Sequence, residues 1–186
     1  MKTPAAFFLA ASCMLALPAA AESPATKPQL KFGEQTFALE FIGGSEATGT
    51  VNEYIPEGET LQRWTKMIAV RTQPTGNDPG KAVGALVNAL KTKNPQAKFA
   101  VWKSNDGKKF GVDFITWEGN IVEFNVFIYG RAANGTGLTS HQYAERAYGE
   151  DVIPFMRGMK DRRSKLLDQA INFDYPMPVK PVADPK

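Results

Sequence analysis

Residues 98–129 read KFAVWKSNDGKKFGVDFITWEGNIVEFNVFIY, and this stretch decides the fold. Three apolar runs are separated by two tight-turn signals. Lys98 to Lys103 carries Phe99, Val101 and Trp102. Asn105-Asp106-Gly107 follows, a set that tolerates the left-handed backbone of a hairpin turn. Phe110 to Trp117 alternates, with Phe110, Val112 and Phe114 on one face. Glu118-Gly119-Asn120 is a second hairpin signal. Ile121 to Tyr129 then puts Val122, Phe124, Val126 and Ile128 on one face, and Phe127 and Tyr129 on the other. Consecutive hairpins force antiparallel pairing. Large apolar groups on both faces of the third run predict a central strand covered from both sides.

Working outward, Asn134-Gly135-Thr136-Gly137 turns the chain again, and Leu138 to Tyr148 predicts a fourth strand of the meander. Asp151 opens a helix to about Asn172, with Val152, Phe155, Met159 and Leu166 in its apolar stripe. Arg162 and Arg163 interrupt that stripe and Gly158 weakens it, which predicts a bend or a division. Before the hairpins, Asp78-Pro79 is a helix start, and Val83, Leu86, Val87 and Leu90 recur at helical spacing until Asn94-Pro95. Thr36 to Ile42 predicts a strand, with Phe37, Leu39 and Phe41 on one face. Thr48 to Ile55 and Lys66 to Thr72 predict two more. Between them Pro56-Glu57-Gly58-Glu59 is a tight turn, after which Thr60 caps a short helical turn through Trp64. The order predicts an α+β fold: an antiparallel sheet of about six or seven strands with helices packed on it.

The ends read differently. Lys2, the apolar run Ala5 to Leu17, Pro18 and then Ala19-Ala20-Ala21 form a signal peptide over residues 1–21. The apolar run is too short for a membrane anchor. A lipoprotein signal ending at Cys13 is the competing reading, and Ala10 stands where a lipobox wants a large aliphatic residue. Residues 22–31 hold two prolines and little apolar content and read as a flexible arm; residues 32–175 are a single globular domain; residues 176–186 are a Pro-rich extended tail. Export to the periplasm or the exterior is the expected localisation.

The chain of 186 residues is 43% apolar and 22% charged, which fits one globular domain. Its net charge of +3 is far from the positive field of a dedicated nucleic-acid binder, and export denies access to nucleic acid. One Cys and one His exclude a disulfide framework, a Cys/His zinc site and a Cys–His protease. His141 has Ser140 beside it, but neighbours on a strand point to opposite faces, and no G-x-S-x-G elbow exists. It reads as an ordinary polar residue of a strand. Lys81 near a helix start reads as a solvated lysine, and Asp106 as a turn residue. Glu57, Glu59, Glu118, Glu123, Glu145, Glu150 and Asp151 are scattered; a carboxylate pair for glycoside chemistry is a spatial arrangement that spacing does not reveal. Trp64, Trp102, Trp117, Phe124, Phe127 and Tyr129 read as core aromatics, with a ligand pocket as the alternative. No catalytic, cofactor-binding or metal-ligating residue is assigned, and no cofactor is expected. Arg157, Lys160, Arg162, Arg163 and Lys165 make the last helix basic, diluted by Asp161 and Asp168. That suggests a solvated face with weak contact to an anionic membrane surface.

Residues 53–64, EYIPEGETLQRW, resemble a motif of small exported proteobacterial proteins of unassigned function. HQYAER at residues 141–146, the basic helix and NFDYP at residues 172–176 are similar to their C-terminal half. The element order is also similar to the PsbP-like α/β/α sandwich. The resemblance implies an accessory or binding module and no catalytic residue. The expected function is therefore a periplasmic, non-enzymatic binding or accessory protein, with an unknown protein or small molecule of the cell envelope as partner. The alternative is a secreted hydrolase with a carboxylate-based site.

Overall fold

The computed structural model describes residues 27–181. The signal segment, Cys13 and the end of the Pro-rich tail lie outside the described residues. Eight strands form one sheet: β1 (Gln29–Phe32), β2 (Gln35–Ser45), β3 (Gly49–Pro56), β4 (Lys66–Gln73), β5 (Lys98–Lys103), β6 (Phe110–Glu118), β7 (Ile121–Arg131) and β8 (Leu138–Tyr148). Helix α1 (Pro79–Lys93) follows β4, and helix α2 (Val152–Asn172) follows β8 after a short 3-10 turn. The spatial order is β1-β2-β3-β4-β8-β7-β6-β5, antiparallel throughout. The fold is α+β, with more strands than the six or seven expected.

The added strand is β1, whose first three residues fall in the segment 22–31 expected to be a flexible arm. An edge strand needs little apolar content: Leu30 is half-buried, and Phe32, the expected start of the globular domain, enters the core and stacks on Tyr143 at 4.6 Å. Strand β2 departs from simple alternation. A register shift between Leu39 and Phe41 bulges the strand and turns Phe41 to the opposite face, 40% exposed, while Phe37 and Leu39 stay buried. Thr60 does not start a helical turn. Its hydroxyl and carbonyl accept from the Arg63 amide and close a tight β-bridged turn instead. Helix α2 runs unbroken through Gly158.

The two helices cover opposite faces. In β6 and β7, Val112 pairs with Phe127 and Asp113 with Val126, so each pair shares a face. Val83, Val87 and Leu90 of α1 pack on the first face with Val112, Phe114 and Tyr129. Met159, Leu166 and Ala170 of α2 pack on the second with Phe124, Val126 and Ile128. Phe127, half-buried, stacks between Phe114 and Tyr129 beneath α1. Strand β7 is thus apolar on both sides because both sides are covered. At Gly111 a Cβ would lie 2.1 Å from Trp102 Cζ2; the indole crosses the strand where only glycine leaves room.

After α2, residues 173–181 run extended over the α2 face. Phe173 meets Phe32 edge-on, Tyr175 stacks flat on His141 at 4.2 Å, and the Asn52 amide donates to the Val179 carbonyl at 2.9 Å and accepts from its N–H at 2.5 Å. Asn52 is fully buried, and the tail satisfies both ends of its amide. Among the described residues no helix is long and apolar enough to cross a membrane.

The two-sided placement of β7 gives a measurable asymmetry. Phe124→Ala is expected to lose about 3–5 kcal/mol, the range for a fully buried Phe. Phe127→Ala, half-buried under α1, is expected to lose less than Phe124→Ala but more than the ~0.5 kcal/mol of a surface change. Urea unfolding checks both; a neutral Phe127→Ala contradicts the packing of α1 on this face.

Candidate functional site

The face carrying α1 is only partly covered, and the uncovered part is where side chains of chemical interest gather. The segment 56–65 builds one end of it. The Glu59 amide donates to the Pro56 carbonyl, and Gly58 adopts φ +85°, a left-handed conformation that glycine takes without strain. The Glu59 carboxylate accepts from the Thr65 amide and hydroxyl, both at 2.6 Å. The Trp64 backbone is clamped by the Tyr148 hydroxyl, which accepts from its N–H at 3.2 Å and donates to its carbonyl at 2.8 Å. These bonds set the Trp64 ring, 3% exposed, as a plug over Ile55, Met67 and Ala144. The motif at residues 53–64 therefore has a structural purpose: it delivers Trp64.

Arg146 lies on that plug, its guanidinium 3.8 Å from the ring centroid. Its Nε and Nη2 donate to Glu123 Oε2 at 2.8 and 2.6 Å. Glu123 Oε1 accepts from Asn125 at 2.9 Å, and Asn125 Oδ1 accepts from Gln142 at 2.7 Å. The result is a chain of fixed polar groups from β8 across β7, with Asn125 and Gln142 buried. Farther along the same face Arg71 sits over Phe127 and reaches Glu53 only at 3.5 Å. Burial lowers the Arg71 pKa, against the charges of Glu53 and Tyr129 that raise it. One of its nitrogens, Nη1, is buried with no hydrogen-bond partner among the described residues.

Beside Arg146 and Glu123 a groove of about 710 Å³ opens between α1 and the β6–β7 hairpin. Leu86, Leu90 and Phe114 make its apolar wall, Trp117 and Ile121 its rim, and Lys93 and Arg146 its charged ends. Trp117 is 45% exposed, unlike the other two tryptophans. The sequence grouped it with the core aromatics. The tip of a hairpin extends beyond the helix that covers the strands, and it is this tertiary placement that exposes the ring.

The basic helix is divided by its environment. Arg162 and Arg163, the residues that break the apolar stripe, turn inward. Arg162 pairs with Glu145, whose other oxygen accepts from the Tyr143 hydroxyl at 2.6 Å. Arg163 donates to Asp113 Oδ2 at 2.6 Å through Nε. Arg157, Lys160 and Lys165 are exposed, as are Asp161 and Asp168. Burial raises the Asp113 pKa, opposed by the hydrogen bond and charge of Arg163. The buried carboxylates Asp113 and Glu145 and the half-buried Glu53 and Glu123 each face an arginine. Sequence reasoning missed them because their partners lie on distant elements; the available signal was the pair Arg162-Arg163 at stripe positions. Glu118, Glu150 and Asp151 stay exposed, and Glu57 lies exposed in its turn. Lys81 is exposed on the first turn of α1, where its amide donates to the Asp78 cap, and Asp106 accepts from Ser104 and the Lys108 amide in its turn.

His141 lies on the α2 face, stacked on Tyr175, with its back to Ser140. Burial, and secondarily the charge of Lys109, lower its pKa from 6.5 to about 4. Ser140 is buried on the α1 face.

A family model matches residues 25–175. The chain belongs to that family. The family is uncharacterised. The match spans β1 to β8 and both helices and ends at Tyr175, the residue stacked on His141. No curated protein matches the chain.

The shifted imidazole gives a pH signature. The unfolded chain takes up a proton near pH 6.5 and the folded chain only near pH 4. Stability is therefore complete above pH 6.5 and falls as the pH drops through that window, by about 2–3 kcal/mol at pH 4.5. His141→Gln is expected to remove this part of the slope. Urea midpoints of both proteins at pH 7 and pH 4.5 check it; equal slopes contradict it.

Proposed function

We propose that this protein is a non-enzymatic binding or accessory protein of the cell envelope, and that the groove beside α1 is its binding surface. The groove carries the reading: it has the volume of a small-molecule site, apolar walls and a few fixed polar groups at its ends, the composition of ligand pockets generally. The state of the carboxylates supports it too. A hydrolase of the carboxylate type uses an acid and a base whose environments pull their pKa values apart. Of the two carboxylates that line this groove, Glu118 is exposed at its edge, and Glu123 holds two hydrogen bonds from Arg146 and one from Asn125. A carboxylate so engaged orients a neighbour better than it moves a proton. The signal peptide read at residues 1–21 supports delivery to the periplasm. The helices on opposite sheet faces support the likeness to the PsbP-like α/β/α sandwich, a class of accessory modules.

Leu86 is half-buried in the groove wall, at the margin of the core under α1. Leu86→Trp is expected to fill the groove while leaving the unfolding midpoint nearly unchanged. Native mass spectrometry of protein isolated from periplasm then decides. The expected result is a bound small molecule on the natural protein and none on the variant. Identical spectra, bare or loaded, contradict the groove as the binding surface.

A further inference from the structure

A second hollow, of about 690 Å³, lies at the other end of the sheet, between the β5–β6 turn, the end of β7 and the start of β8. It is independent of the groove beside α1. Three basic residues line it: Lys108 and Lys109 from the turn, and Arg131 from the last position of β7. The floor is made by His141 and Thr139, and the apolar wall by Ile128 and Phe110.

The arrangement differs from an ordinary solvated surface in how its charges are used. The acid on its rim, Asp78, accepts from the Lys81 amide as the cap of α1. Asp106, in the same turn as the lysines, accepts from the Ser104 hydroxyl at 2.6 Å and the Lys108 amide at 3.0 Å. Both acids are thus engaged by neutral N–H and O–H donors near them in sequence. Lys109 is fixed by donating to the Ile171 carbonyl at 3.1 Å, at the C-terminal end of α2. Lys108 and Arg131 form no ion pair among the described residues, and Asp106 acts on the Lys108 and Lys109 side chains through its charge alone. His141, on the floor, is held neutral by its burial against Tyr175 and adds no charge of its own. A positive rim over an apolar, neutral floor is complementary to a molecule with an anionic end and an apolar body.

We propose that this hollow binds a small organic anion, with carboxylate or phosphate oxygens between Lys108 and Arg131 and a ring-sized apolar body against Ile128 and Phe110. The shared chemistry is the anionic oxygen group; which of the two the site prefers is read from the probes. Gly130 supplies the means of testing it. It faces this hollow, and a Cβ there would meet nothing nearer than 3.9 Å, so a larger side chain enters the hollow without striking the sheet.

Benzoate, phenyl phosphate and benzyl alcohol are titrated into the full protein, with binding followed by amide chemical shifts in nitrogen-15-labelled protein. The expected result is that at least one of the two anions binds and shifts the amides of Lys108, Gly130 and Thr139. Benzyl alcohol, with the same ring and no charge, is expected to bind at least about tenfold more weakly, and salt to weaken the anions. Gly130→Val is expected to abolish binding and Arg131→Ala to weaken it about tenfold, while Leu86→Trp leaves it unchanged. Should Gly130→Val fail to fold, Arg131→Ala and the neutral probe carry the test. The proposal is overturned if neither anion binds at ~10 mM, about tenfold above a millimolar Kd. It is equally overturned if benzyl alcohol binds as well as the anions, or if Arg131→Ala and Gly130→Val bind as the natural protein does.

Discussion

Asp113 and Glu145 stand on the strands either side of β7, almost wholly out of water, and each must meet a cation from α2. Removing a carboxylate from water costs several kcal/mol, and a partner offsets that cost only from a narrow range of positions. Arg162 and Arg163 are neighbours in sequence, so their side chains leave the helix about 100° apart. One reaches β8 and the other β6, which holds α2 lengthwise above β7 at a single register. Met159, Leu166 and Ala170 then fall on Phe124, Val126 and Ile128. The pairs act more on position than on net stability. Burial raises the Asp113 pKa even with Arg163 in place, so the ion pair does not fully repay the desolvation of the acid.

Much of the molecule follows from that anchoring. With α2 on one face, α1 has the other, and β7 is covered on both sides at its centre. Helix α1 is too short to cover the rest of its face, so Trp64 plugs the far part, clamped by Tyr148 and roofed by Arg146. Between plug and helix the groove remains open, with the Arg146–Glu123 pair at its end. On the other face the C-terminal end of α2 takes Lys109 as a hydrogen-bond donor, and the chain leaving it lays Tyr175 over His141. The hollow with Lys108 and Arg131 is what the β5–β6 turn, the start of α1 and the ends of β7 and β8 leave between them. Both candidate binding surfaces are therefore gaps left by helices of limited length on a wide sheet.

The sheet was legible where its signals are local. Asn105-Asp106-Gly107 and Glu118-Gly119-Asn120 carry their turn chemistry in consecutive residues, and period-two alternation in β6 and β7 states the faces directly. Helix α1 announced itself through Asp78, Pro79 and Asn94. Strand β1 was illegible because its pairing partner, not its composition, makes it a strand. The bulge in β2 was illegible for a related reason: it inserts one residue, and alternation read from a single strand gives Phe41 the wrong face. The interior ion pairs join residues 17 and 50 positions apart, across elements whose packing no local rule supplies. Arg162 and Arg163 registered only as flaws in a stripe. The exposure of Trp117 and the convergence of Lys108 with Arg131 are likewise consequences of where hairpin tips end up in three dimensions.

The anchoring of α2 is tested most directly by a double-mutant cycle on Asp113 and Arg163, read by urea unfolding at pH 7. Arg163→Met alone is predicted to lose about 3 kcal/mol, because it leaves a buried carboxylate unpaired. The double variant Asp113→Val/Arg163→Met, with the acid gone as well, is predicted to return to within about 1 kcal/mol of the natural protein. If Arg163→Met alone is nearly neutral, or if the two losses simply add, the buried carboxylate does not fix the helix and the account fails at its centre.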